Sequence, residues 1–245
     1  MFVFPENPIQ RAWLIGLLLL WAALLFGGFL FGPELNNRRM PTWTRMASSL
    51  TLVAAALSWL ALGYGGANGR FLLLLAVGMG CGFLGDLWLA GLLPGGRNVL
   101  AGMAAFGLGH VLYISVFWQA GNAYGLDGAA ARWGALAVWL LIGLAGWYLM
   151  VFRGAEAGVL HWAALPYALL LAGTAGVASG LALQNGVFTP LAVGAALFLL
   201  SDLILAGEMF SGLRFRLIGD VVWLTYGPAQ MLIVYTAGAL LRFFP

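Results

Sequence analysis

Eight apolar runs, each close to twenty residues long, follow one another down this chain with short polar breaks between them. A run of that length crosses the hydrocarbon of a bilayer as one helix. In lipid, helices and closed barrels are the structures that satisfy their own backbone. The runs fall at about residues 12–31, 44–63, 71–93, 99–119, 133–152, 160–183, 188–207 and 217–241. The sequence therefore predicts an all-α polytopic membrane protein with eight transmembrane helices, one integral membrane domain over residues 1–245. Charge content agrees: 8% of the residues are charged, against about 25% in a soluble domain. The first run lacks a small-x-small cleavage site before Gly32 and is read as a helix rather than a removed leader.

The breaks carry turn residues, as at Gly65 to Arg70, Pro94 to Asn98 and Gln184 to Gly186. The stretch from Gly121 to Arg132 reads as a longer polar connection. All the basic residues are arginines. Arg38, Arg39, Arg45, Arg97, Arg153, Arg214 and Arg216 follow the odd-numbered helices, and Arg11, Arg70, Arg132 and Arg242 fall on the other side. This bias places the odd loops in the cytoplasm and both termini outside. A net charge of +3 spread over loops reflects topology and points away from nucleic acid as a partner. Cys81 stands alone, which excludes an internal disulfide, and two histidines are too few for a three-histidine zinc site.

One phrase occurs twice. Asp86-Leu87-x-Leu89-Ala90-Gly91 and Asp202-Leu203-x-Leu205-Ala206-Gly207 each follow a small residue, Gly85 or Ser201, inside an apolar run. A carboxylate in that setting is costly and marks a functional position. Both acids fall late in their helices, roughly 8–10 Å below the same surface at 1.5 Å per residue. Their placement in helices three and seven allows a parallel four-plus-four repeat. Helix four starts from that surface with Phe106, His110, Tyr113 and Phe117 on one face, and helix eight does so with Trp223, Tyr226 and Gln230. These residues form the expected polar constellation. Other polar positions carry plainer readings: Asp220 and Glu208 at helix ends in reach of solvent, His161 at the interface, Cys81 an inert thiol.

With these residues in view, the chain resembles the lysoplasmalogenase-like membrane proteins, the YhhN family and its animal relatives. The match runs through Gly85-Asp86 with Leu89, Phe106-x-x-x-His110-x-x-Tyr113, Gly194-Ala195-x-x-Phe198-x-x-Ser201-Asp202-x-x-Leu205-Ala206, and Tyr226-x-x-Ala229-Gln230-x-Leu232-Ile233. Gly227 departs from the pattern, where a second tyrosine is more usual. The motifs come in order across nearly the whole chain. The resemblance implies hydrolysis of the vinyl ether bond of a lysoplasmalogen to a fatty aldehyde and a glycerophospho-ethanolamine or -choline. It implies no metal and no organic cofactor, a lysophospholipid substrate drawn from membrane lipids, and a bacterial cell membrane as the location. Asp86 and Asp202 would be the catalytic acids, and His110, Tyr113, Ser201, Tyr226 and Gln230 would bind substrate.

Two acids suit that chemistry. A vinyl ether resists nucleophiles and opens when a proton reaches the carbon β to oxygen, leaving an oxocarbenium ion. Water adds to the cation, and the hemiacetal collapses to aldehyde and alcohol. Glycosidases meet the same kind of cation with one protonated and one ionised carboxyl group, and two acids facing each other would share one proton. Two rival readings stand beside this one. An intramembrane aspartyl protease also uses two membrane aspartates, but Phe83 stands where its motif needs glycine, and Gln230 replaces the leucine after Pro228-Ala229. A lipid or proton-coupled transporter would use the repeated acids as a relay.

Overall fold

The computed structural model describes residues 2–35, 37–153 and 157–243. Its long helices are α1 (Pro8–Phe31), α2 (Thr42–Gly63), α3 (Gly69–Ala90), α4 (Val99–Ala123), α5 (Ala129–Trp147), α6 (Val159–Gln184), α7 (Thr189–Phe210) and α8 (Ile218–Tyr235), followed by a short α9 (Ala237–Phe243). No strand occurs among the described residues. The first seven crossings are each long and apolar enough to span a membrane. The eighth expected crossing is α8 continued past Thr236 by α9. It is the more polar one because Asp220, Tyr226 and Gln230 all lie on it and all are buried. The protein is an all-α integral membrane protein.

Local chemistry sets the helix ends. Asn7 caps α1 by accepting from the backbone N–H groups of Ile9 and Gln10, with Pro8 next in the first turn. Asn98 caps α4 through the N–H of Ala101. Gly91 ends α3 at φ 72°, a left-handed turn that costs glycine little. The connection between α4 and α5 is shorter than the polar composition of residues 121–132 predicts, running from Tyr124 to Gly128. Several polar groups there pair with one another: Arg132 donates to Leu126 O and Asn122 Oδ1, and Gln184 donates to Leu126 O. With those bonds made, both helices extend into the stretch.

Sequential neighbours pack against each other through both halves, and α4 also meets α6 while α2 also meets α8. Large apolar side chains such as Leu19, Val138 and Leu141 point outward, the surface a lipid environment requires. The α3–α4 contact is built on glycine. Gly78 and Gly85 of α3 lie opposite Gly109 and Gly102 of the antiparallel α4, and a Cβ at Gly109 would sit 3.0 Å from the Gly78 carbonyl oxygen. Small residues are what let membrane helices approach this closely.

The α1–α2 and α7–α8 loops are clasped together. Asn37 donates to Phe215 O and accepts from Leu217 N–H, both residues 37 and 217 holding left-handed backbone near φ 60°. Arg216 bridges Glu34 at 2.8 Å, which holds the Glu34 carboxyl below its ordinary pKa. Asp220 corrects the solvent-reached reading: it is buried, and its carboxylate accepts the backbone N–H groups of Arg39 at 2.5 Å and Met40 at 2.9 Å. Asp220→Ala strands two donors and is expected to cost roughly 2–4 kcal/mol. A lowered melting midpoint in detergent checks this; an unchanged midpoint would show that the clasp does not stabilise the fold. Glu208 meets the expectation better, partly exposed and 3.7 Å from Arg214.

Candidate functional site

Asp86 and Asp202 open onto the same cavity, about 950 Å³ in volume. Pockets that hold small ligands run from about 300 to 1,000 Å³. Its walls come from α2, α3, α4, α6, α7 and α8, and its mouth is the clasped loop face. The inner wall is apolar, with Phe106, Leu171 and Leu199. The mouth is cationic, with Arg38, Arg39, Arg97 and Arg214 against one acid, Glu208. The space is thus apolar at one end, positive at the other and acidic between them.

Each acid is held by hydroxyl groups from neighbouring helices. Asp86 is buried, and its Oδ2 accepts from Ser49 of α2 at 2.5 Å and from Tyr226 of α8 at 3.0 Å. Asp202 accepts from Tyr167 of α6 through Oδ2, and Ser201 approaches its Oδ1 at 3.2 Å. Ser201 has one proton, and its shorter contact is to Phe198 O at 2.7 Å, so Tyr167 is the main donor to Asp202. The two carboxylates do not hydrogen-bond to each other among the described residues. They face one space from separate helices instead of forming a contact dyad.

The helix ends revise the depth expected for the pair. Asp86 lies four residues before the end of α3, because Gly91 stops the helix early, whereas Asp202 lies eight before the end of α7. Equal distance from a helix end is therefore not what relates them. The shared cavity is.

Of the residues expected around substrate, Tyr226 lines the cavity with both acids, while His110, Tyr113, Ser201 and Gln230 lie behind its wall. Three of these residues form one chain to Asp86. Tyr113 donates to Gln230 Oε1 at 3.1 Å, Gln230 donates to the Tyr226 oxygen at 3.2 Å, and Tyr226 donates to Asp86. Gly82 makes room for this chain, since a Cβ there would sit 2.6 Å from Gln230 Nε2. His110 belongs to the packing around the site. Its Nδ1 lies 2.9 Å from Thr174 Oγ1, its ring edge meets Phe198 at 4.5 Å, and its Nε2 has no partner. Thr174 also donates to Leu170 O, so the proton between His110 and Thr174 is assigned to His110 Nδ1.

Ser49, Tyr167 and Arg45 escaped the sequence reading. By sequence Arg45 groups with the loop arginines, but it sits in the first turn of α2, buried, and lines the cavity. Ser49 follows it by one turn on the same face. The available signal was an Arg-x-x-x-Ser spacing at the start of an apolar run. Tyr167 carried none beyond its place after Pro166.

Hydrogen bonds to a charged group are worth about 1.5–3 kcal/mol. With Asp86 and Asp202 as the reacting groups of an enzyme, Tyr226→Phe and Tyr167→Phe would each be expected to lower turnover by roughly 10–100-fold. Tyr113→Phe, two links further from Asp86, should cost less than Tyr226→Phe. Steady-state kinetics of the three variants tests the order; equal effects would show that the chain does not act through Asp86.

Searches of curated proteins and of solved structures give no match. The family model described as the YhhN family matches residues 40–237, a stretch that holds both acids, their hydroxyl donors and Arg45, and the chain belongs to the YhhN family.

Proposed function

We propose that the protein is a lysoplasmalogenase-like hydrolase that cleaves the vinyl ether bond of a lysophospholipid within the membrane. The observation that carries this reading is the pair Asp86 and Asp202 on one cavity that is apolar at its inner end and cationic at its mouth. A single-chain ether lipid has the same order: alkyl chain, vinyl ether, glycerol, phosphate. With the chain against Phe106, Leu171 and Leu199, the vinyl ether comes to the level of the acids.

One carboxyl group protonates the β carbon of the vinyl ether, and the bond electrons of the alkene take up that proton. The ether oxygen shares the resulting positive charge. The other carboxyl group, ionised, stabilises the oxocarbenium ion and takes a proton from the water that adds to it. The hemiacetal then collapses: its hydroxyl proton passes to the first carboxylate, the C–O bond to glycerol breaks as the glycerol oxygen takes the proton held by the second carboxyl group, and the aldehyde is released with both groups restored. The two carboxylates line one cavity without bonding to each other, which suits a substrate placed against both, as in glycosidases, where the reacting bond stands between two acids. Tyr226 and Tyr167 keep each carboxyl group in one rotamer facing the cavity, an arrangement that removes reorganisation from the reaction.

Both α3 and α7 run as unbroken helices through their acids, which weighs against the transporter reading, since transporter sites at this depth favour interrupted helices. The test is purified full-length protein incubated with a lysoplasmalogen and, in parallel, with an ester lysolipid, with products identified by mass spectrometry. Fatty aldehyde from the vinyl ether lipid alone is the expected result. Intact lipid in both reactions, or fatty acid from the ester, would remove the proposal.

A further inference from the structure

We infer that Arg45 is the anchor for the substrate's phosphate, and that α2 ties this anchor to the acid at the reacting bond through Ser49. The inference rests on the proposed function for the identity of the bond, and on the geometry of α2 for the rest.

Arg45 is 8% exposed and lines the cavity. Its Nη2 donates to Thr42 Oγ1 at 2.9 Å, and its Nε has no partner. The guanidinium rests over the Trp223 ring at 5.3 Å. The ion pairs among the described residues are Arg214–Glu208 and Arg216–Glu34, so no carboxylate lies within ion-pair distance of Arg45. A buried guanidinium with no carboxylate in contact is costly; Asp86 and Asp220 act on this one only from beyond ion-pair distance, and it is held by a ring face and one hydroxyl group with a donor left over. Guanidinium groups match phosphate oxygens with paired N–H donors. The arginines at the mouth, Arg38, Arg97 and Arg214, extend the positive field outward from it.

One helix carries both the anchor and a group that holds the acid. Arg45 and Ser49 are four residues apart on α2, and Ser49 holds Asp86. Side chains four apart on a helix are neighbours along one face, about 5–6 Å between Cβ atoms. In a lysoplasmalogen only the three glycerol carbons and the ester oxygen lie between the vinyl ether oxygen and the phosphorus. Arg45 and Asp86 line the same cavity, so a phosphate on Arg45 leaves the glycerol and the vinyl ether to run along it toward the acid. The site takes the phosphate of a single-chain phospholipid and selects against the same vinyl ether lipid without it.

The experiment compares a lysoplasmalogen with the corresponding alkenylglycerol, using full-length wild type, Arg45→Gln and Arg45→Lys. Wild type is expected to favour the phosphate-bearing lipid in kcat/KM by roughly 10–100-fold, and Arg45→Gln to bring that ratio within about threefold of unity, chiefly through KM. Arg45→Lys keeps the charge without the fork and should fall between them, which preserves the test where the glutamine variant does not fold. A ratio unchanged from wild type in the folded variants would overturn the inference. A binding arm uses a non-hydrolysable alkyl lysophospholipid, the matching alkylglycerol and inorganic phosphate, read as shifts in melting midpoint. The lysophospholipid should stabilise wild type more than the alkylglycerol, with the difference lost in Arg45→Gln. Equal stabilisation by inorganic phosphate alone, lost in the same variant, would assign the site to free phosphate and overturn the lipid assignment. Because this arm needs no bond cleavage, phosphate-selective binding without aldehyde would sink the hydrolase proposal and leave the anchor standing. Aldehyde release without phosphate selectivity would do the reverse.

Discussion

Asp86→Asn and Asp202→Asn are each expected to lower aldehyde release from a lysoplasmalogen by about 10²–10⁴-fold. An amide can neither deliver a proton at this strength nor carry the negative charge that the oxocarbenium ion needs. The substitution is nearly isosteric, so the cavity and its donors stay in place. At Asp86, the hydroxyl groups of Ser49 and Tyr226 still find the amide oxygen as an acceptor. At Asp202, Tyr167 does the same. Melting midpoints near wild type should therefore accompany the loss of turnover. The double variant is expected to lose little more than the worse single one, because groups that act as one unit are not additive. Near-normal turnover in either single variant, with folding intact, would take that acid out of the mechanism.

Gly78→Val and Gly85→Val are expected to destabilise the protein by roughly 3 kcal/mol each, the upper part of the usual overpacking range. A Cβ at Gly78 would lie 2.5 Å from the Tyr113 ring, and one at Gly85 would lie 2.6 Å from the Phe106 ring. Neither ring has room to retreat. Tyr113 is tied to Gln230, and Phe106 is packed edge-on against both Phe198 and Tyr226. The effect at Gly85 should reach the site as well, since Phe106 lines the cavity beside Asp86. Gly80→Ala provides the contrast: it lies on the same helix, has nothing within 4 Å of an added Cβ, and should gain about 1 kcal/mol from helix propensity. Melting midpoints of the three variants in one detergent decide the matter. Equal tolerance at positions 78, 80 and 85 would mean that α3 and α4 can part at little cost.

Much of the site could be read from residue types because charge is rare in this chain. With eight acidic residues in 245, two in matching phrases inside apolar runs stand out, and both line the cavity. Tyr226 stood out on the same grounds. The reading failed where a polar residue had a plain local explanation. Arg45 looked like one more loop arginine because it lies three positions into its helix. Asp220 looked like a solvated helix-start acid, yet it caps two N–H groups of a loop that is 180 residues away in sequence. His110 looked like a cavity residue because it shares a helix face with Phe106, but the ring of Phe198 at 4.5 Å covers it. Each of these outcomes depends on a partner from a distant element.

The sequence by itself determined the all-helical membrane class, the short connections and the two acids, because apolar length and a misplaced carboxylate are local properties. Helix faces were a different matter. In a membrane the side of a helix that meets lipid is as apolar as the side that meets its neighbours, so periodicity tells little about which residues point inward. The tertiary structure alone decided that Asp86 and Asp202 share one cavity, that Ser49, Tyr226 and Tyr167 hold them, and that Arg45 enters the same space without an acid to pair with. These are contacts between helices, and they are set by which glycines let the helices meet closely and which rings fill the gaps.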